Sequence, residues 1–139
     1  SPQALAHLLS YEAGLSGLSG RGGDLRELLA ADDADARLAV EVYCYRARKY
    51  LGAYLAVLGG ADAILFGGGV GENAPAVRAG ILAGGEWAGI ALDPVANRAA
   101  RGVEADIAMP ASRVALHVLR VDEARELAEG LEPSRPQIN

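Results

Sequence analysis

At 139 residues the chain is the size of one ordinary domain and long enough to bury a core. Half of it is hydrophobic (51%) and 22% is charged, a balance that excludes a disordered tail. The net charge of -5 and the lack of a basic patch of the kind a nucleic-acid binder needs argue against nucleic acid as a partner.

No apolar run approaches the length needed to span a bilayer and no signal peptide is visible, so the expected compartment is the cytoplasm, without a membrane partner. Cys44 stands alone between Tyr43 and Tyr45, which precludes an intrachain disulfide and suits a small buried core residue. An acidic chain can still bind a nucleotide, because local backbone N–H groups, an arginine and Mg²⁺ matter more there than net charge.

In chain order, Leu5, Leu8 and Leu9 have helical spacing, and Gly14, Gly17, Gly20, Gly22 and Gly23 then predict a glycine-rich loop. Asp24 is placed to cap a short helix through Ala30, with Glu27 at capping-box spacing. A longer helix is predicted from about Asp33–Asp35 to Leu58. Its apolar stripe runs through Leu38, Val42 and Tyr45, falters at Arg48-Lys49 and resumes at Leu51, Tyr54, Leu55 and Leu58, and Gly59-Gly60 supplies the stop. The basic run Arg46-Ala47-Arg48-Lys49 reads as a solvated face of that helix.

Ala61 to Phe66 is a short apolar run between glycines, the pattern of a central strand covered on both faces. Gly67-Gly68-Gly69-Val70-Gly71-Glu72-Asn73 follows as a loop, and a helix is predicted from Ala74 or Pro75. Further on, Val95 to Arg101 reads as a helix after Asp93-Pro94. Asp106–Met109 and Arg113–Leu119 read as strands, a last helix opens at Asp122 or Glu123, and the chain ends in a frayed tail. Alternating helices and strands place the chain in the α/β class.

A strand that runs into glycines and then a helix brings backbone close to a ligand and offers unpaired N–H groups, which suits a phosphate or a ribose-phosphate. A Walker loop is excluded, because Glu72-Asn73 stands where Lys and Ser/Thr are required. Two nucleotide readings remain open on the loop alone. Gly69-Val70-Gly71-Glu72-Asn73-Ala74 fits the dinucleotide pattern G-x-G-x-x-A, with Asp93 about twenty residues on. The alternative is the strand-to-helix turn that meets adenosine in sugar kinases and actin-like ATPases.

The order of several short motifs is more specific than the loop. Tyr11-Glu12-Ala13-Gly14-Leu15-Ser16-Gly17-Leu18-Ser19-Gly20 resembles "ESGLLGLSG", Gly23-Asp24-Leu25-Arg26-Glu27-Leu28 resembles "GDMREL", and Tyr45 to Tyr54 resembles "YRIRKYIGAY". Gly68 to Asn73 is similar to "GGIGEN" and Gly89 to Asp93 to "GIELD". All five strings belong, in this order, to the acetate kinase family of the actin-like ATPase superfamily.

That resemblance implies a partial actin-like (ribonuclease H-like) C-terminal domain over residues 1–131, a mixed sheet with packed helices lacking its first strands, followed by a flexible tail at 132–139. It implies an ADP/ATP site built from Asp24, Leu25 and Arg26 on one side and Gly69, Val70, Gly71, Glu72 and Asn73 on the other. It assigns the Mg²⁺-associated carboxylate to Glu123, although Arg120-Val121 and Ala124-Arg125 around that residue depart from the family's usual Pro-Thr and Glu-Leu.

The implied activity is reversible transfer of the γ-phosphoryl of ATP to acetate, giving acetyl phosphate, in an enzyme that is a homodimer at full length. The family's catalytic arginines, its transition-state histidine and a metal-site aspartate belong upstream of this segment. No catalytic residue is therefore expected in the chain, His7 and His117 included, and the chain is expected to be a truncated product or a fragment. Gly67 in place of the usual Thr, and the Ser19-Gly20-Arg21-Gly22-Gly23 turn, imply looser loops than the family's own.

Overall fold

A computed structural model describes residues 1–121. The chain opens with helix α1 (Pro2–His7), a π-helical turn (Leu8–Glu12) and helices α2 (Gly14–Ser19), α3 (Leu25–Ala30) and α4 (Ala34–Leu58). Strand β1 (Ala63–Phe66) leads into helices α5 (Gly68–Asn73) and α6 (Pro75–Leu82), a 3₁₀ turn (Glu86–Ala88) and helix α7 (Pro94–Ala99). Strands β2 (Ala105–Asp106) and β3 (Ala115–Val118) complete the described part.

Local chemistry explains most of the boundaries. Asp24, Asp33 and Asp93 cap α3, α4 and α7, each accepting a backbone N–H from the first turn of its helix. Pro opens α6 and α7, where its missing N–H would have had no partner, and Gly59 ends α4.

Two stretches predicted as loops are helical. Gly14–Ser19 forms α2 and Gly68–Asn73 forms α5. Glycine lowers helix propensity, but a six-residue helix packed against neighbours is decided by those contacts rather than by propensity. The turn after α2 is also pinned rather than loose: Ser19 is buried, its hydroxyl accepts the Arg21 N–H at 3.1 Å, and the Arg21 guanidinium reaches Asp33 at 3.0 Å.

Helix α4 has the predicted extent, but of the predicted stripe only Leu55 is buried, with Leu51 packed beside it on the core. Its enclosed residues are Ala36, Ala39, Cys44 and Leu55, whereas Leu38, Tyr45, Tyr54 and Leu58 are exposed. Small side chains permit closer helix approach than the large ones of the predicted stripe. At the contact with α6, a Cβ added to Gly80 would lie 2.8 Å from the Cys44 sulfur, so glycine is required for this spacing. Cys44 is buried as expected, and burial pushes its thiol pKa up. The basic run is solvent-facing, with Arg48 also donating to the Gly80 carbonyl at 2.5 Å.

The sheet is mixed, in the order β1-β3-β2. β1 runs parallel to β3 with Phe66 opposite Val118, and β2 runs antiparallel to β3 with Asp106 opposite His117. The strand expected at the centre, β1, lies at an edge of the described sheet, with Phe66 buried and Leu65 59% exposed. The central strand is β3, whose Leu116 and Val118 are fully enclosed. With Leu55, Leu82, Ile90, Ile107 and Val114 they form the main core, and smaller clusters sit around Leu28 and Val77. Among the described residues, no helix is long and apolar enough to cross a membrane.

Candidate functional site

The two halves of the predicted nucleotide site face each other. A cleft of about 270 Å³ is lined by Leu25, Arg26, Leu29 and Ala30 of α3, by Gly69, Val70, Asn73 and Ala74 at α5, and by Arg101 after α7. Residues 27–68, forty-two in all, separate the two predicted segments, and the packing of α3 and α6 on α4 brings them together.

Asp24, predicted as a site residue, does not line the cleft but holds Arg26, which does. Its Oδ1 accepts the Arg26 backbone N–H at 2.9 Å, so it caps α3, and its carboxylate receives the Arg26 guanidinium at 2.6 Å. Those bonds hold the Asp24 carboxyl down at about 2 from an ordinary 3.8, and in return raise the Arg26 guanidinium. The carboxyl titrates lower in the folded chain, so its contribution to the fold is complete above pH 3.8 and is lost as pH falls through about 2. A carboxyl-carbon NMR titration is expected to give Asp24 a midpoint near 2, with α3 fraying over that interval. A midpoint at 3.8 would show that the capping and ion pair do not persist in solution.

Of the remaining predicted residues, Leu25, Arg26, Gly69, Val70 and Asn73 line the cleft, and Gly71 and Glu72 do not. Asn73 Nδ2 donates to the Gly69 carbonyl at 3.0 Å, which fixes the amide across the inner turn of α5. The Glu72 carboxylate accepts the Val121 N–H at 2.8 Å. Gly67 explains how that strand-end segment passes so close: a Cβ there would lie 2.6 Å from Val121 Cγ2, so the glycine serves packing rather than looseness.

Two residues that were not singled out in the sequence belong to this region. Arg101 adds a second cation to the cleft. Arg78, on α6, is the largest fully enclosed side chain described, and no carboxylate pairs with it among the described residues. Its Nε donates to Asn97 Oδ1 at 2.8 Å, Nη1 to the carbonyls of Gly71 (2.6 Å) and Glu72 (3.1 Å), and Nη2 to those of Asn97 (2.7 Å) and Ala100 (2.6 Å). These five bonds match the five N–H groups of a guanidinium. The carbonyls come from the ends of α5 and α7, where backbone acceptors lack helical partners and the helix dipole is negative. Burial, and then the charge of Arg101, lower the Arg78 pKa, yet the charge is compensated by carbonyl dipoles in place of an anion. The sequence signal was a single charge inside the otherwise apolar helix Pro75–Leu82.

No group of three or more His, Cys, Asp or Glu that could hold a metal ion occurs among the described residues. Glu123 lies outside the described residues, as do the predicted last helix and tail. His117 occupies β3 and His7 lies beside Tyr11 and Glu12, neither of them at the cleft.

The dinucleotide alternative finds no support. Asp93 Oδ1 is occupied by the N–H groups of Val95 and Ala96 at 2.7 and 3.0 Å, and Asp93 does not line the cleft. The relatives point the same way. The chain is 49% identical over 127 residues to the acetate kinase of Solibacter usitatus, an alignment covering 88% of this chain and 31% of that protein. Its fold is similar to the crystal structure of Porphyromonas gingivalis acetate kinase, with a TM-score of 0.87 and 37% identity over 94% of this chain and 33% of that one. It is also similar to a propionate kinase from Francisella tularensis, with a TM-score of 0.76 and 28% identity over 88% of this chain and 32% of that one. The chain thus spans about a third of the length of the proteins it matches. Its sequence matches the acetokinase family over residues 1–129, and with the actin-like ATPase fold of its structural neighbours this establishes that the chain belongs to that family.

Proposed function

We propose that the cleft between α3 and α5 is the nucleotide side of an acetate kinase, holding ADP or ATP while the γ-phosphoryl passes reversibly between ATP and acetate. The observation that carries this reading is the convergence of Leu25 and Arg26 with Gly69, Val70 and Asn73 on one cleft, from segments far apart in sequence. Leu25, Leu29 and Val70 offer an apolar wall for a nucleobase, Asn73 a polar edge, and Arg26 and Arg101 positive charge for phosphate oxygens.

Phosphoryl transfer of this kind depends on positioning and charge neutralisation, and residues 1–131 contribute to it by placing the nucleotide. The transfer residues belong to the part of the longer relatives that this chain does not span. Magnesium enters with the nucleotide phosphates, and its protein carboxylate is assigned to Glu123 by resemblance alone. The same reading places the protein in the cytoplasm as a homodimer, and the exposed apolar side of α4 supplies surface for association.

Calorimetric titration of the chain with Mg·ADP and, separately, with NAD tests the reading. Saturable binding of Mg·ADP is expected, weakened about tenfold by Asn73→Ala, the cost of one lost polar contact. Preference for NAD, or no binding by a demonstrably folded chain, would contradict it.

A further inference from the structure

We infer that Arg78 is a positioning residue for the nucleotide cleft: buried and out of reach of any ligand, it ties the α5 wall to the turn that carries Arg101. The inference rests on the nucleotide reading above, and its physical basis is the five-bond network. The Gly71 and Glu72 carbonyls belong to the last turn of α5, whose Gly69, Val70 and Asn73 face the cleft. The Ala100 carbonyl immediately precedes Arg101, which faces the same cleft from the end of α7. One guanidinium therefore sets the distance between the two walls, and the Gly102 N–H adds a parallel bond to the Glu72 carbonyl at 3.2 Å.

Asn97 fixes the guanidinium in turn. Its Oδ1 accepts from Arg78 Nε at 2.8 Å, and its Nδ2 donates to the Pro75 carbonyl at 2.9 Å, the start of the helix that carries Arg78. Asn97 is buried, so the triangle of α5, α6 and α7 is closed by polar bonds sheltered from water. Lysine keeps the charge, but its three N–H donors on a single nitrogen cannot span acceptors arrayed around a planar fork.

The test combines Mg·ADP affinity with amide hydrogen exchange on the wild type, Arg78→Lys and Asn97→Ala. Arg78→Lys is expected to weaken Mg·ADP binding by about tenfold or more, and Asn97→Ala, which removes one of the five acceptors, by several-fold, roughly in proportion to the charged hydrogen bonds lost. In both variants the amides of residues 69–74 and 100–102 are expected to exchange faster while those of β3 keep their protection, a local pattern that general loss of stability would not produce. A folded Arg78→Lys chain with wild-type affinity and unchanged exchange at 69–74 would overturn the inference. If that variant does not fold, Asn97→Ala decides by the same two readouts. Failure of the wild type to bind Mg·ADP would sink the nucleotide reading and this inference together. Wild-type binding with unaffected variants would sink the inference alone.

Discussion

Arg78→Met is expected to lower the unfolding free energy by about 3–5 kcal/mol, because several sheltered acceptors lose their donor at about 1–3 kcal/mol each. Methionine replaces most of the aliphatic stem, so little of the loss comes from packing. What is lost is the partner of four backbone carbonyls and of Asn97 Oδ1; the bonds to Asn97 and Ala100 are buried, and those to Gly71 and Glu72 are part-buried. One effect opposes this. Removing a buried charge relieves its desolvation, and replacing a whole buried ion pair by apolar groups is often neutral. Here only the cation leaves while its acceptors stay, so the unpaired carbonyls dominate. Urea unfolding of the wild type and variant gives the difference directly. A loss below about 1 kcal/mol would mean that water takes over the acceptors, as it does at exposed sites.

The second large effect concerns affinity. Arg26→Ala and Arg101→Ala are each expected to weaken Mg·ADP binding about tenfold, and the double variant about a hundredfold, because two cations on different elements act nearly independently. Arg26 begins at a disadvantage, since its side chain is 86% exposed and its guanidinium is already paired with Asp24. That pair still orients the arginine at the rim, and a phosphate can share a guanidinium that has donors to spare. Raising the salt concentration from low to physiological should compress both effects, as the charges lie at a water-filled rim. Calorimetry at two ionic strengths checks this. Equal affinity in the double variant would mean that the cleft does not receive the phosphates.

Local chemistry was legible in the sequence where a residue acts on its own neighbours. Asp24, Asp33 and Asp93 cap helices within three residues of themselves, and Gly59 terminates one, so these boundaries needed no knowledge of the fold. The order and resemblance of the motifs singled out the two segments proposed to hold nucleotide, and the cleft brings five of their eight residues to its lining.

Where packing decides, the sequence pattern misled. The stripe of Leu38, Tyr45 and Tyr54 looked like the inner face of α4, but the close α6 contact at Gly80 selects the alanine and cysteine side. The apolar run at Ala63–Phe66 looked central, yet whether a strand lies inside a sheet depends on which strands join it, and β3 takes the middle. Glycines at 14–19 and 68–73 looked like loops because their helicity comes from neighbours. Arg78 and Arg101 passed unremarked for the same reason: one looked like any helix arginine until burial and two helix ends converged on it, the other like a residue after a helix end.

If residues on α3, at α5 and after α7 form one nucleotide site, they should respond together to nucleotide. Backbone amide shifts of the isotopically labelled chain, followed during titration with Mg·ADP, test it most directly. Saturable shifts are expected, concentrated at Leu25, Arg26, Gly69, Val70, Asn73 and Arg101, with β2 unaffected. Shifts gathered instead on the groove beside Leu18, Tyr43 and Tyr50, or none at all in a folded chain, would contradict it.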